Sequence, residues 1–218
     1  MVVLAIGAHP DDIEFGCFGT LARLSKETSL HLIILSAGEL SGPKNRRLKE
    51  CRQSANVLGA KFTCLDYPDG NIPVNVEIID KLRFYVRKIA PQIVFTLYPN
   101  DTHQDHRNAS KVAISSCLNV NELMFYEGPS TEMDFHPNVF YDITDYFNLK
   151  EKGLNCHKTQ KKKPYLNLAA IRGLARYRAY QCGRNGLFEA FYLYRAVKLQ
   201  KPAKTKNTLF KQSIFGSK

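Results

Sequence analysis

The sequence predicts an α/β protein with a mostly parallel central sheet flanked by helices, and three observations support this. Short apolar runs of strand length alternate with helix-length stretches through the first hundred residues. Polar clusters follow these apolar runs and do not interrupt them. The chain has 218 residues and is 44% hydrophobic, enough to bury one core. Such alternation is typical of βαβ units, whose strands are parallel and whose crossovers are right-handed.

The elements of the first half follow from this alternation. Buried strands are predicted at residues 2–6, 30–36, 61–65 and 92–98. Helices are predicted between them at residues 19–26, 45–58 and 76–89. For the second of these helices, Asn45 is a candidate N-cap and Gly59 a candidate C-cap, because these residue types favour those positions.

The elements of the second half are less regular. Strands are predicted at residues 122–126 and 139–142, and helices near residues 149–159 and 166–178. Residues 188–197 form either a last strand or part of a lid. Residues 198–218 are expected to be a basic C-terminal tail outside the domain.

The net charge of +11 is unevenly distributed along the chain. Residues 148–218 hold seventeen Lys and Arg against two Glu, whereas residues 1–147 hold fourteen against eighteen Asp and Glu. The basic part could attract an anionic substrate, a membrane surface or nucleic acid, or it could be a solvated face. No helix-turn-helix or zinc-finger pattern is present, so we expect no nucleic-acid partner.

Several classes of protein are disfavoured by the sequence. No apolar run approaches the roughly 20 residues that cross a bilayer, and the first residues lack a secretory leader pattern, so we expect a cytoplasmic protein. The six cysteines form no CxxC pair and are expected to be reduced thiols. No GxGxxG loop is present, which argues against a nicotinamide or flavin cofactor.

The first cluster of residues that could bind a metal or take part in catalysis contains His9, Asp11 and Asp12. A His and an Asp three residues apart on a tight loop can both face one ion. With a second His from elsewhere they would leave a position open for water, as in catalytic zinc sites, and the neighbouring carboxylate could accept a proton from that water. The alternative is a surface turn in which one Asp caps a helix.

A second cluster spans residues 101–106 and contains two His and two Asp. His106 can supply the third metal ligand, and His103 can act as an electrophile or acid whose orientation is fixed by Asp105. The alternative is a polar loop in which Asp105 caps the next helix. Both clusters follow predicted strands, so we expect them to meet at the carboxyl edge of the sheet.

These clusters belong to a longer set of motifs that resembles the PIG-L (LmbE-like) N-deacetylase family. The matching residues extend in order over about residues 2–197, and the last twenty or so residues fall outside the resemblance. They are Gly7-Ala8-His9-Pro10-Asp11-Asp12, Glu14, Gly16, Gly38-Glu39, Arg47, Glu50, Ala55, Leu58-Gly59, Asp69-Gly70, His103-x-Asp105-His106, Asp142-Ile143-Thr144, Lys150, His157, Thr159-Gln160, Gly186 and Glu189-Ala190-Phe191.

The resemblance implies a single domain over residues 1–197 with a Rossmann-like layered fold. It also implies the following roles: His9, Asp12 and His106 bind a divalent metal, usually Zn²⁺; Asp11 is the general base; His103, oriented by Asp105, stabilises the oxyanion or protonates the leaving amine; and Arg47 contacts substrate. The implied reaction removes the acetyl group from an N-acetylated amino sugar. A His₂Asp site also suits Fe²⁺ or another divalent metal.

The identity of the substrate stays open at this point. The basic second part suggests an anionic amino sugar, either nucleotide-linked or otherwise phosphorylated. A rival keeps the site but cleaves another amide, as an amidase or a deacetylase of a thiol-cofactor glycoside. A rival of another class is an anion- or nucleic-acid-binding module with a vestigial metal site. The sequence also leaves open whether the protein is a homo-oligomer and whether His157 reaches the site.

Overall fold

The structure, a computed structural model, describes residues 1–198 and contains one seven-stranded sheet. Strands β1 to β7 are Val2–Gly7, Ser29–Ser36, Lys61–Tyr67, Ile93–Leu97, Glu122–Tyr126, Val139–Asp142 and Phe188–Ala196. The strand order is β3-β2-β1-β4-β5-β7-β6. Strands β1 to β5 are parallel, and β7 is antiparallel to both of its neighbours. The predicted mostly parallel sheet is therefore confirmed.

Seven helices accompany the sheet in the described part of the chain. Helices α1 to α7 are Asp12–Gly16, Phe18–Leu24, Lys44–Val57, Val76–Ile89, Gln104–Ser116, Phe147–Cys156 and Leu168–Gln181. Short 3₁₀ turns lie at Glu39–Ser41, Thr144–Tyr146, Lys158–Gln160 and Pro164–Leu166. Within residues 1–198, every helix is too short or too polar to cross a membrane.

Several predicted boundaries are corrected by the structure. Helix α3 begins at Lys44 after Pro43, so Asn45 lies inside the first turn and is not the N-cap. The Pro43 carbonyl accepts N–H groups of that turn, so the helix begins one residue earlier than predicted. The C-cap is Leu58 and not Gly59; Gly59 is the next residue, and its φ of +63° is the left-handed conformation that commonly follows the end of a helix. The helix predicted at 19–26 begins and ends earlier, and α1 precedes it.

The structure decides between the strand and the lid that were predicted for residues 188–197. Strand β7 inserts between β5 and β6, so this segment is a strand and not a lid. Of the predicted basic tail, only Lys198 lies within the described residues. The apolar core forms two clusters: a larger one around the sheet, and a smaller one that includes Phe15, Phe147 and Ile171.

The topology places the two polar clusters side by side. Strands β1 and β4 are adjacent and parallel. After β1 the chain continues to β2 and β3 on one side of β1, and it then crosses to β4 on the opposite side of β1. Loops after such strands diverge and leave a crevice at the carboxyl edge of the sheet. His9 follows β1, and the cluster at 101–106 follows β4, so both lie at this crevice.

Candidate active site

The crevice forms a cavity of about 350 Å³ in which the two clusters meet. His9, Asp11, Asp12, Arg47, His103 and His106 all line it. Asp105 does not line it and is fully buried behind it. The structure therefore brings together six of the seven candidate residues from three separate stretches of the chain.

The backbone conformation of the loop after β1 makes the carboxylates of Asp11 and Asp12 point in different directions. Asp11 has a φ of +90°, a left-handed conformation that is rare for a residue with a side chain. Nη2 of Arg47 donates to the Pro10 carbonyl at 2.9 Å and supports this turn. Asp12 then opens α1 and points to the backbone N–H groups of Ala8 and His9, at 2.9 and 2.8 Å. Asp11 is left free to face the cavity.

His9, Asp12 and His106 form a group whose donor atoms lie within 4.8 Å of one another. Asp12 Oδ1 is 3.3 Å from His106 Nε2, and Asp12 Oδ2 is 3.9 Å from His9 Nδ1. Two imidazoles and a carboxylate suit Zn²⁺ or Fe²⁺ and leave coordination positions for water and substrate. A second set, His9, His103 and Asp105, is also close enough to hold an ion, but it shares His9 with the first.

The contacts of His9 Nε2 and His106 Nδ1 show which of the two possible ligand sets is better suited to a metal. His9 Nε2 lies 2.9 Å from Asp105 Oδ2 and 3.1 Å from Asp69 Oδ1. His106 Nδ1 lies 3.1 Å from Asp101 Oδ2. A metal-binding His characteristically gives its second nitrogen to a carboxylate, which fixes the ring. The remaining nitrogens, His9 Nδ1 and His106 Nε2, both face Asp12, so the first set fits a divalent metal better.

The same carboxylates perturb the pKa values of the histidines. Burial lowers the pKa of His9, but contacts with Asp105 and Asp69 outweigh it and raise the pKa to about 9. For His106, burial is likewise outweighed by Asp12 and Asp101, and the pKa rises to about 10. Without a metal, both rings are therefore protonated at neutral pH and paired with carboxylates.

Asp11 stands apart from this group. Burial raises the pKa of Asp11 to about 6, although the nearby charges of His157 and Arg47 oppose the increase. Tyr165 donates a hydrogen bond from its hydroxyl to Asp11 Oδ2 at 2.9 Å, and Arg47 Nη2 lies 3.7 Å from the same oxygen. A carboxylate with a pKa near neutrality and an open face is suited to general base catalysis.

His103 is half-buried and stacks on His106, with ring centroids 4.6 Å apart. Its Nδ1 accepts the backbone N–H of Asp105 at 3.2 Å, so the proton of the neutral ring belongs on Nε2. Burial and the charges of His106 and His9 lower the pKa of His103. The ring is therefore arranged as a neutral hydrogen-bond donor.

The expected role of Asp105 needs correction. Its carboxylate contacts His9 and accepts the N–H groups of Gly70 at 2.7 Å and Ile72 at 3.0 Å, and so does not orient the ring of His103. Only its backbone N–H reaches His103. The physical reason is that Asp105 lies in the first turn of α5 with its side chain fully buried towards the loop after β3. Asp105 therefore positions His9, which is a candidate metal ligand.

Sequence reasoning assigned no role to several residues at the site. Tyr165 precedes α7 and carried no motif, although it reaches Asp11. Asp69 belongs to a quoted motif, and its contact with His9 depends on the fold. His157 is buried with Nε2 3.1 Å from Glu14 Oε1, and it does not line the cavity. The two other histidines of the chain do not line the cavity: His136 is exposed, and His31 lies in β2.

Comparison with known proteins identifies the family of this chain. A sequence model of the PIG-L family, described as GlcNAc-PI de-N-acetylase, matches residues 4–117. The uncharacterized deacetylase YaiS of Escherichia coli (strain K12) is 33% identical over 168 residues, which cover 72% of this chain and 90% of YaiS. Diacetylchitobiose deacetylase of Thermococcus kodakarensis is 29% identical over 204 residues, or 78% of this chain and 76% of that protein.

Solved structures show the same fold. N,N'-diacetylchitobiose deacetylase from Pyrococcus horikoshii, complexed with an inhibitor, superimposes with a TM-score of 0.78 at 25% identity. The match covers 88% of this chain and 83% of that one. The layered α/β fold is thus shared with a deacetylase over nearly the whole described chain.

Proposed function

Since the chain belongs to the PIG-L family of deacetylases, we propose that it is a metal-dependent hydrolase that removes the acetyl group from an N-acetylated amino sugar. The observation that carries this proposal is the meeting of Asp11 with His9, Asp12 and His106 in one cavity. A base with a raised pKa beside a His₂Asp group is the arrangement that amide hydrolysis by a bound metal requires. Zn²⁺ or Fe²⁺ would fit the donor set.

A divalent metal held by His9, Asp12 and His106 would polarise the amide carbonyl and acidify a water molecule. The chain's own residues do the rest. Asp11, whose pKa is about 6, takes a proton as the water oxygen attacks the carbonyl carbon. His103 donates from Nε2 to the oxygen on which negative charge develops. The same proton on Asp11 can pass to the nitrogen as the C–N bond breaks, which releases acetate and the free amine.

The proposed substrate is anionic, either nucleotide-linked or otherwise phosphorylated. Four exposed lysines, Lys158, Lys161, Lys162 and Lys163, lie on the segment between α6 and α7. This segment borders the cavity, because Gln160 Nε2 donates to the Ser41 carbonyl at 3.0 Å and both Ser41 and Tyr165 line the cavity. Positive charge at the mouth of a pocket raises the local concentration of an anionic ligand.

The reaction is tested by acetate release from metal-loaded protein over a panel of N-acetylated sugars, free, nucleotide-linked and lipid-linked. We expect release that requires both metal and Asp11, with Asp11→Asn as the inactive control. No release from any sugar by protein with bound metal would contradict the proposed reaction. Release from a non-sugar amide would identify the protein as an amidase of the same family.

The anionic part of the proposal has its own test. With phosphorylated substrate, the double variant Lys161→Gln/Lys162→Gln should raise KM and weaken its dependence on salt, with kcat little changed. The matched control is Arg87→Gln/Lys88→Gln, two exposed cations on α4. Equal KM values for neutral and phosphorylated sugars at all salt concentrations would overturn this assignment.

A further inference from the structure

We propose that Phe15 closes the acyl end of the cavity and restricts the enzyme to short N-acyl groups, a proposal that rests on the hydrolytic reaction proposed above. Phe15 lines the 350 Å³ cavity together with the metal-ligand candidates. It also lines a second, much smaller cavity of about 20 Å³. Among the residues that line these two cavities, only Phe15 is common to both, and we therefore place its side chain between them.

The position of Phe15 on α1 assigns it to the acyl side. It lies three residues after Asp12 on the same helix, so these two side chains share one face of α1, and both line the cavity together with Asp11, the residue before the helix. The reacting carbonyl carbon must lie within reach of both carboxylates. The sugar has to leave towards the mouth, where Ser41 and Pro129 are exposed. The acyl substituent extends from the opposite side of the carbonyl carbon and meets the buried ring of Phe15.

The second cavity could accept a longer chain if the ring were smaller. Its apolar lining comes from Ile171, Leu174, Ala175 and Phe188, and its charged lining consists of two ion pairs, Lys150–Glu189 and Arg178–Glu127. The apolar cluster behind α1 contains Ile171 and Ala175 as well as Phe15. Methylene groups entering this space would therefore contact these apolar side chains, while the four charged groups stay paired with one another.

Helix α1 is held in place, so a smaller side chain at position 15 should open a passage and not let the helix collapse. A Cβ added at Gly16 would lie 2.0 Å from the ring of Tyr126, which shows how closely α1 packs against β5. Lys150 Nζ donates to the Phe15 carbonyl and fixes the backbone at this residue. A fixed backbone leaves a cavity where a large side chain is truncated.

The test compares glucosamine carrying N-acetyl, N-butyryl and N-octanoyl groups. The native enzyme should lose kcat/KM steeply with acyl length. Phe15→Leu and Phe15→Ala should raise the octanoyl-to-acetyl ratio of kcat/KM, with gains of about fourfold for each additional methylene that is buried. Phe147→Leu is the matched control, since Phe147 belongs to the same apolar cluster but does not line either cavity. It should leave the ratio unchanged, and Phe15→Leu keeps the test available if Phe15→Ala does not fold.

A binding measurement separates this proposal from the proposed reaction. Acetate, butyrate and octanoate, the carboxylate products of the series, are titrated into metal-loaded protein by calorimetry. Phe15→Leu should gain affinity for octanoate over acetate relative to the native protein, whether or not any sugar is hydrolysed. Native protein that binds octanoate as well as the Phe15 variants do, or folded Phe15 variants with an unchanged length profile, would overturn the proposal even if acetate release is observed.

Discussion

Residues 1–117 and residues 118–198 contribute to the site in different ways. The first region supplies all of the proposed metal ligands and also Asp11, His103 and Arg47. These residues lie in the loops that follow parallel strands or in the helices that come after those loops. The second region contains β7, which is antiparallel to both of its neighbours, and its α6 and α7 pack against Phe15 of α1 in the smaller apolar cluster. The family match, which spans residues 4–117, falls entirely on the first region.

This difference suggests a division of labour. The first region holds the reacting atoms through short-range contacts among neighbouring strand ends. The second region stabilises the structure around the site. Lys150 of α6 donates hydrogen bonds to β7 and to α1, and Tyr165, in the segment before α7, donates one to Asp11. Changes in the first region should therefore remove chemistry from a folded protein. Changes in the second should alter stability or the tuning of the site.

The largest effect on activity is expected from Asp11→Asn. Loss of the general base should lower kcat by about 10²–10⁴. Since Asp11 is outside the metal-binding group, the metal content and melting temperature should stay close to native. Steady-state kinetics with metal analysis measures both. Asp66→Asn, at an exposed carboxylate in β3, is the control, and near-native turnover by the Asp11 variant would refute the assignment of the base.

In the second region, the largest effect is expected from Lys150→Met. Lys150 is 3% exposed and is paired with the buried carboxylate of Glu189. Removing one partner leaves a buried charge unpaired, which should cost about 3–5 kcal/mol in free energy of unfolding. Urea unfolding followed by circular dichroism measures this loss. Lys152→Met on the exposed face of α6 should unfold like the native protein, and an equally stable Lys150 variant would show that the pair is not structural.

The two regions also differ in how far the sequence predicts them. The polar residues of the first region lie at strand ends, so a parallel sheet alone places His9 and His106 at the same edge, and the pairing of β1 with β4 brings them together. The contact between Asp105 and His9 does not, because it joins residues 96 apart and depends on which way a buried side chain turns. Tyr165 and Asp11 are 154 residues apart, and their contact depends on how the segment before α7 docks.

Metal binding should depend steeply on pH because of the first region's histidines. Without metal, His9 and His106 have pKa values of about 9 and about 10, so both carry a proton at pH 7. Binding one divalent ion must then release about two protons, and the apparent affinity should rise roughly 100-fold per pH unit near neutrality. Calorimetry in buffers of different ionisation enthalpy counts the protons. A heat of binding that is the same in every buffer would show that the rings are already neutral.

The same pKa values predict the opposite trend for stability without metal. Both histidines have folded-state pKa values above the unfolded value of about 6.5, so their protonated forms stabilise the fold. This contribution is complete below about pH 6.5 and is lost as the pH rises through 9 and 10. The metal-free protein should therefore melt at lower temperature at pH 10 than at pH 7, whereas excess metal should reduce the difference.

The smallest effect is expected from Tyr165→Phe, which tests whether the second region tunes the chemistry of the first. The Tyr165 hydroxyl donates to Asp11 and lowers the pKa of that carboxyl. Without the hydroxyl, the pKa of Asp11 should rise, since its charged form loses a hydrogen bond. A smaller fraction of Asp11 would then be ionised near pH 6, so the acid limb of the kcat/KM profile should move to higher pH, with only a few-fold loss above pH 8. Tyr177→Phe, at an exposed position of α7, should leave the profile unchanged. Identical pH profiles of kcat/KM for Tyr165→Phe and the native enzyme would show that the pKa of Asp11 is set by residues of the first region alone.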